Sequence, residues 1–190
     1  MSKQDKLLFV SKIQKLIGII FLIGCLFIPF APAITLISET ISKTYGSAFV
    51  FMFGGNIATQ SITYKARGVS VLALISFILI LISFGLIIAS LFLNKKKPTI
   101  SKWLLFVGSV IILVSSIMFL CAHRSISNVL ADALISSHSD TVSQTIFNNT
   151  KLEFGIYGIS IFGFISSLSL LASLIFDGTF DKVRARIGII

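Results

Sequence analysis

Ionisable side chains are almost missing from four long stretches of this chain: Ile13–Ile37, Val69–Leu93, Trp103–Ala122 and Phe154–Phe176. Apart from Lys15, at the entrance to the first, these runs contain no Asp, Glu, Lys, Arg or His. A helix needs about 20 apolar residues to cross roughly 30 Å of hydrocarbon, so each run is long enough to span a bilayer. Pumps, proton relays and many transporters mark their path with charge inside the membrane, and that signature is lacking. Cysteine is scarce as well. Cys25 falls mid-way along the first run and Cys121 at the end of the third, depths too different for the short Cα separation of a disulfide. Also missing are a P-loop, a nucleophile elbow, a phosphate-cradling glycine loop and any Cys-rich or HxxxH metal spacing. His123 and His138, with Asp132 and Asp140 between and beside them, read as solvated loop residues. The expectation is a chain that is not an enzyme, with no catalytic, cofactor-binding or metal-binding residues.

What is present defines a membrane protein. The chain has 190 residues and 12% charged content, and its mean hydropathy is +1.00. The four runs leave too little for a separate soluble domain, which needs roughly 50 residues. The expected fold class is an all-α integral membrane protein, a left-handed bundle of four transmembrane helices forming one tetraspan domain over residues 1–190. Residues 38–68 and 123–153 are its outer loops and 94–102 its inner loop. The net charge of +9 is a topology signal, because basic residues gather on the cytoplasmic side of membrane proteins. The two ends and the 94–102 turn carry eleven Lys and Arg residues, the two longer loops only five. Both termini are therefore expected in the cytoplasm and the protein in the cell membrane. Its basic clusters would attract anionic lipid; the lipid bilayer is the expected partner, and nucleic acid is not.

The first run carries two processing-like motifs. Leu22-Ile23-Gly24-Cys25 matches a lipobox, and Ala31-Pro32-Ala33 matches a small-residue signal-peptidase site. The chain stays apolar through both to Ile37, which favours an uncleaved first helix. Ahead of it, Met1–Lys15 suits one or two amphipathic turns on the membrane surface. Pro29 and Pro32 should kink or end the helix. The pattern then predicts an extracytoplasmic cap. Ala48–Phe53 is rich in strand formers, Gly54-Gly55-Asn56 is a turn signal, and Ile57–Lys65 alternates weakly. Together they read as a β-hairpin, with a re-entrant dip of Phe49–Phe53 into lipid as the other reading. On that strand Phe49, Phe51 and Phe53 share one face, a candidate outer interaction surface. Ser101 is a candidate N-cap for the third helix and Trp103 an interfacial anchor. Ile126, Val129, Leu130, Ala133 and Leu134 recur at helical spacing, predicting that the third helix extends above the bilayer to about Ser136 and receives the aromatic face. Thr141–Phe147 suits a further short strand, Asn148-Asn149-Thr150 matches a glycosylation sequon, and Asp177–Ile190 suits an interfacial tail. Arg124 and Glu153, near the ends of neighbouring runs, are a candidate outer ion pair.

Small residues recur every seven positions: Gly18 and Cys25; Ser76, Ser83 and Ser90; Gly108 and Ser115; Ser160 and Ser167. Such residues let membrane helices approach closely, and a seven-residue period keeps one face toward a neighbour. These nine are the candidate helix-packing residues, flanked at the same spacing by Ser109 with Ser116 and by Ser166 with Ser173. The outline, with four helices, cytoplasmic ends, a β-bearing first outer loop and an extended third helix, resembles the tetraspan architecture of claudin-like proteins. The resemblance covers topology alone. The first outer loop holds no Trp and no Cys, so the claudin signature of Trp, Gly-Leu-Trp and a Cys pair is absent, and neither a site residue nor a junction-forming role carries over. The functional expectation is a structural, scaffold or accessory subunit that acts through its bundle and outer cap, with a membrane-protein partner or a second copy of itself. The alternative is a channel or permease component in which the hydroxyl-rich fourth run lines an oligomeric pore.

Orientation is testable without any structure. Single cysteines at Ser61 and Ser139 should react with a membrane-impermeant thiol reagent added outside the cell, and cysteines at Ser2 and Thr99 should not. Labelling at Thr99 from outside overturns the assignment.

Overall fold

The computed structural model describes residues 3–37, 42–58, 63–65, 68–134 and 145–177. It is mostly helical, with four helices long and apolar enough to cross a membrane. They are α1 (Lys3–Phe27), α3 (Val71–Leu93), α4 (Pro98–Cys121) and α6 (Phe154–Phe176). Between α1 and α3 come β1 (Pro32–Ile37), β2 (Ser42–Ser47), the short helix α2 (Ala48–Phe53), β3 (Asn56–Ala58) and β4 (Thr63–Lys65). Between α4 and α6 come α5 (His123–Leu134) and β5 (Thr150–Leu152). The chain divides into two compact units, and each long helix contributes residues to both.

The first unit comprises residues 1–24, 79–114 and 162–190. Within it the helices meet through small residues and hydroxyls. Gly18 of α1 is buried, and a side chain there would run into Leu170 and the Ser166 carbonyl of α6. Gly24 does the same against the Phe162 ring, which meets Phe21 edge to face at 4.9 Å. Gly108 of α4 faces Ile87 and the Ser83 carbonyl of α3. At the 94–97 connection Lys97 closes the last turn of α3, its N–H on the Leu93 carbonyl, and Pro98 opens α4. Proline suits a first helical position, where the N–H it lacks has no partner anyway. Ser101 is therefore inside α4 and is not its cap. The expected surface turns over Met1–Lys15 are likewise not a separate element, since from Lys3 onward the described residues belong to α1.

The second unit comprises residues 25–78 and 115–161, and here the sequence-based expectation needs four corrections. First, the initial apolar run is not helical to Ile37. α1 stops at Phe27, a 3-10 turn over Ile28–Phe30 follows, and Pro32–Ile37 is a strand. Pro29 removes a helical donor, and the Ala33-Ile34-Thr35-Leu36-Ile37 sequence after Pro32 favours extended backbone. Second, Ala48–Phe53 is a helix, not a strand. Ser47 enters it in extended conformation and Gly54, at φ 78°, ends it, so aromatic propensity is overridden by tertiary context. β3 and β4 pair antiparallel, Ile57 opposite Tyr64, so the stretch expected as one strand holds both arms of a small hairpin. Third, the third long helix does not continue unbroken. Ala122 sits in a turn, its N–H on the Phe119 carbonyl, and α5 starts afresh at His123. Fourth, residues 145–148 are helical, and the extra strand is β5. Residues 141–144 and the tail beyond Asp177 lie outside the described residues.

The main sheet has the order β2-β1-β5, antiparallel throughout. Ile34 is opposite Tyr45 on one side and Leu152 on the other. Ile34, Tyr45, Ala33 and Ala48 are buried here. α2 lies against β1, β2 and the 3-10 turn, and α5 against β4. The aromatics thus do not dock principally on α5 as expected. α6 begins close under the same segment: a Cβ at Gly155 would strike the carbonyl oxygens of Ala31 and Pro32.

The helical form of α2 separates its three phenylalanines. Phe51 is fully buried, while Phe49 and Phe53 remain 36% and 47% exposed. Phe51→Ala should destabilise this unit by about 3–5 kcal/mol, the range for emptying a phenylalanine site in a core. Phe49→Ala should change thermal stability of the purified protein far less. Equal losses for the two would contradict the helical placement.

Candidate functional site

The nine candidate packing residues are all buried, and their polar atoms find main-chain acceptors. In the first unit Ser166 Oγ donates to the Gly18 carbonyl at 2.7 Å, linking α6 to α1, and Ser167 Oγ donates to the Ser109 carbonyl at 2.8 Å, linking α6 to α4. Ser90 and Ser101 exchange bonds between α3 and α4, each hydroxyl donating to the other's carbonyl at 2.9 and 2.8 Å. Ser83 turns back on its own helix at Leu79. In the second unit Ser115 Oγ donates to the Ser76 carbonyl at 2.6 Å and Cys25 Sγ reaches the Ile159 carbonyl at 3.6 Å, while Ser76 and Ser160 bond their own helices. The same helix pairs meet in each unit, α1 with α6 and α3 with α4.

Sequence reasoning missed two members of these seams. Ser11 donates to the Ser173 carbonyl at 2.8 Å, and Ser101 pairs with Ser90. The signal was available. Ser11 stands seven residues before Gly18, and Ser101 seven before Gly108, so each stripe extends one period toward the chain's basic side. Near Ser101, Lys102 and Asp177 form an ion pair at 3.3 Å.

Beside the main sheet the second unit holds two polar clusters that the sequence did not indicate. In one, Thr35 Oγ1 of β1 donates to Glu153 Oε1 at 2.7 Å and lies 3.0 Å from Thr44 Oγ1 of β2. A carboxylate only accepts, so Thr35 spends its single proton on Glu153 and Thr44 must be the donor in the second bond. Glu153 also ties its backbone N–H to the Ala33 carbonyl and immediately precedes α6, where negative charge suits the helix N-terminus. Arg124 is exposed; among the described residues it makes no ion pair with Glu153, whose carboxylate the Thr35 hydroxyl holds instead.

The other cluster centres on Thr150. Its Oγ1 donates to the Phe147 carbonyl at 3.0 Å, and Ser127 Oγ and His123 Nε2 lie 3.0 and 3.1 Å from the same oxygen. With the hydroxyl proton committed to a carbonyl, Ser127 and His123 must both donate to its two lone pairs, so His123 carries its proton on Nε2. The imidazole lies 4.8 Å from the Phe147 ring. Burial pushes its pKa below the ordinary 6.5, with hydrogen bonding at Thr150 opposing the shift. In this arrangement His123 does not activate the Thr150 hydroxyl, since a histidine that does so must accept its proton. No group of three His, Cys, Asp or Glu side chains gathers among the described residues; His138 and Asp140 lie outside them. Comparison with known protein families and with curated proteins finds no match to this chain.

The His123 cluster predicts acid sensitivity. Because the folded chain resists protonation at His123, the unfolded chain takes up the proton first as pH falls below 6.5, and stability must drop from that pH downward. Thermal melts at pH 7.5 and 5.5 should show a loss for the native protein that is smaller in His123→Asn. The same acid loss in both proteins would show that other groups carry it.

Proposed function

We propose that this chain is a tetraspan protein of the cell membrane with both termini in the cytoplasm, without catalytic activity, serving as a structural, scaffold or accessory subunit. In this reading α1, α3, α4 and α6 form a left-handed bundle, as the seven-residue stripes favour. The sheet and α5 form the part presented outside the cell. The likeness to claudin-like tetraspan proteins is one of outline: a β-bearing connection between the first two spans and a helical segment following the third.

One observation carries the reading. Four of the five serine hydroxyls of the fourth span, which an oligomeric pore would have to expose, are turned inward, and Ser169 is half-exposed. Ser160, Ser166, Ser167 and Ser173 are buried, and each donates to a main-chain carbonyl. A hydroxyl committed to a carbonyl in a close-packed seam is not available to replace water around a permeating solute. The exposed faces are instead apolar, with Ile161 and Leu168 among the exposed residues of α6. Such faces suit lipid, a second copy or another membrane protein. Nucleic acid has no place here, since the basic residues serve orientation.

Crosslinking in native membranes, followed by purification, should recover a reproducible membrane-protein neighbour or a homo-oligomer. A protein that stays monomeric with no consistent neighbour overturns the subunit reading. Reconstituted liposomes should show solute and ion flux no greater than empty ones; flux above that baseline would establish the channel alternative.

A further inference from the structure

We propose that α2 is immersed in the hydrocarbon of the bilayer, and that lipid acyl chains, rather than water or another protein, cover its outward face. The starting point is a ladder of four aromatic rings within the second unit. Phe30 stacks on Phe49 at 5.2 Å, Phe49 and Phe53 meet in a tilted pair at 4.6 Å, and Phe53 meets Phe77 edge to face at 6.0 Å. Both ends of the ladder belong to apolar segments long enough to span. Phe30 closes the first, Asp5–Phe30, and Phe77 lies in the second, Val71–Leu93. Phe77 comes six residues after Val71, which at about 1.5 Å per residue is about 9 Å along α3. The Phe53 ring therefore lies beside the second turn of a spanning helix, not above its first. The Ser70 N–H donates to the Phe51 carbonyl at 2.7 Å, fastening the α2 backbone to the start of α3.

The composition of α2 points the same way. Ala48-Phe49-Val50-Phe51-Met52-Phe53 has no polar side chain. Ala48, Phe51 and Met52 are fully buried by the protein itself, yet Phe27, Phe30, Phe49 and Phe53 are 69%, 63%, 36% and 47% exposed. A helix that is apolar all round needs an apolar medium on whichever side the protein leaves open. Over its first two turns α3 exposes Val71, Ile75 and Ile78, so this end of the helix also presents apolar side chains outward. A docking face for a protein partner would ordinarily carry a polar rim around its apolar centre, and the outward side of α2 offers carbon alone. Such a contiguous patch facing water would be an aggregation hazard. The inference requires only that α1 and α3 cross a membrane, and it stands or falls independently of the subunit role.

The test places a single fluorophore on the ladder. Trp103 is the only tryptophan of the chain; with Trp103→Phe as background, Phe49→Trp reports on the α2 surface in the full-length protein. In phosphatidylcholine vesicles its emission should be blue-shifted, largely lost when the acyl chains are brominated, and little affected by iodide in the buffer. Emission that is red-shifted and quenched by iodide would place α2 in water and overturn the proposal. Emission shielded from both quenchers would overturn it in favour of a protein cover, a second copy included. Phe53→Trp makes the same measurement at the more exposed ring if Phe49→Trp does not fold.

Discussion

A buried hydroxyl among apolar helices has no water to bond, and the group within reach is a main-chain carbonyl, its own or a neighbour's. That constraint governs how this protein packs. An unpaired polar group in such surroundings costs several kcal/mol, so each serine in a seam must donate somewhere, and where it donates across a helix pair it fixes their contact. Ser166 on Gly18, Ser167 on Ser109 and Ser115 on Ser76 are three such links. Each brings a hydroxyl onto a backbone, which requires a small residue at the point of approach. Serine and glycine thus act together, one supplying the bond and the other the space. The apolar side chains left outward then need an apolar medium, which is why such packing and a membrane environment go together.

The second constraint is imposed by proline. Pro29 and Pro32 divide one apolar run into a helix and a strand, and that division creates the sheet. Had the helix continued to Ile37, β2 and β5 would have had no central strand to pair with. Instead β1 takes β2 on one edge and β5 on the other, bringing Thr44 and Glu153 to the same hydroxyl of Thr35. Thr150, one strand-length earlier, is drawn to His123 and Ser127 of α5. Both clusters join segments far apart in sequence, and both are saturated: each hydroxyl proton has one destination. Saturated hydroxyl clusters of this kind stiffen a fold.

Legibility differed sharply between the spans and the connections. Three of the four long helices begin and end close to the apolar runs, because length and hydropathy alone decide what can cross hydrocarbon. The small-residue period is visible in the sequence too, since a seven-residue spacing is a property of one helix face, and the stripes continue to Ser11 and Ser101 beyond the apolar runs. The connections were less legible. Phe49, Phe51 and Phe53 alternate like a strand, but the same positions place Phe49 and Phe53 four apart, one helical turn, and leave Phe51 on the other side. Six residues satisfy both periods, and only the neighbours choose between them. Arg124 and Glu153 looked complementary by charge, yet Glu153 is the residue before α6 and faces β1, so a threonine hydroxyl reaches its carboxylate instead.

By itself, then, the sequence determined the quantities that a single segment carries: the four apolar lengths, the small-residue period, the asymmetry of basic charge, and the prolines that end the first helix. Each depends on local chemistry meeting a fixed solvent thickness or a fixed helical repeat, so no distant residue can reverse it. The tertiary structure decided everything that depends on pairing. Whether Ala48–Phe53 coils or extends, which strand lies between which, where the Thr150 and Thr35 hydroxyl protons go, and which phenylalanines remain outside are all set by contacts between segments tens of residues apart. No local pattern encodes those contacts, because the same hydroxyl or ring is equally competent toward several partners until the backbone brings one of them within reach.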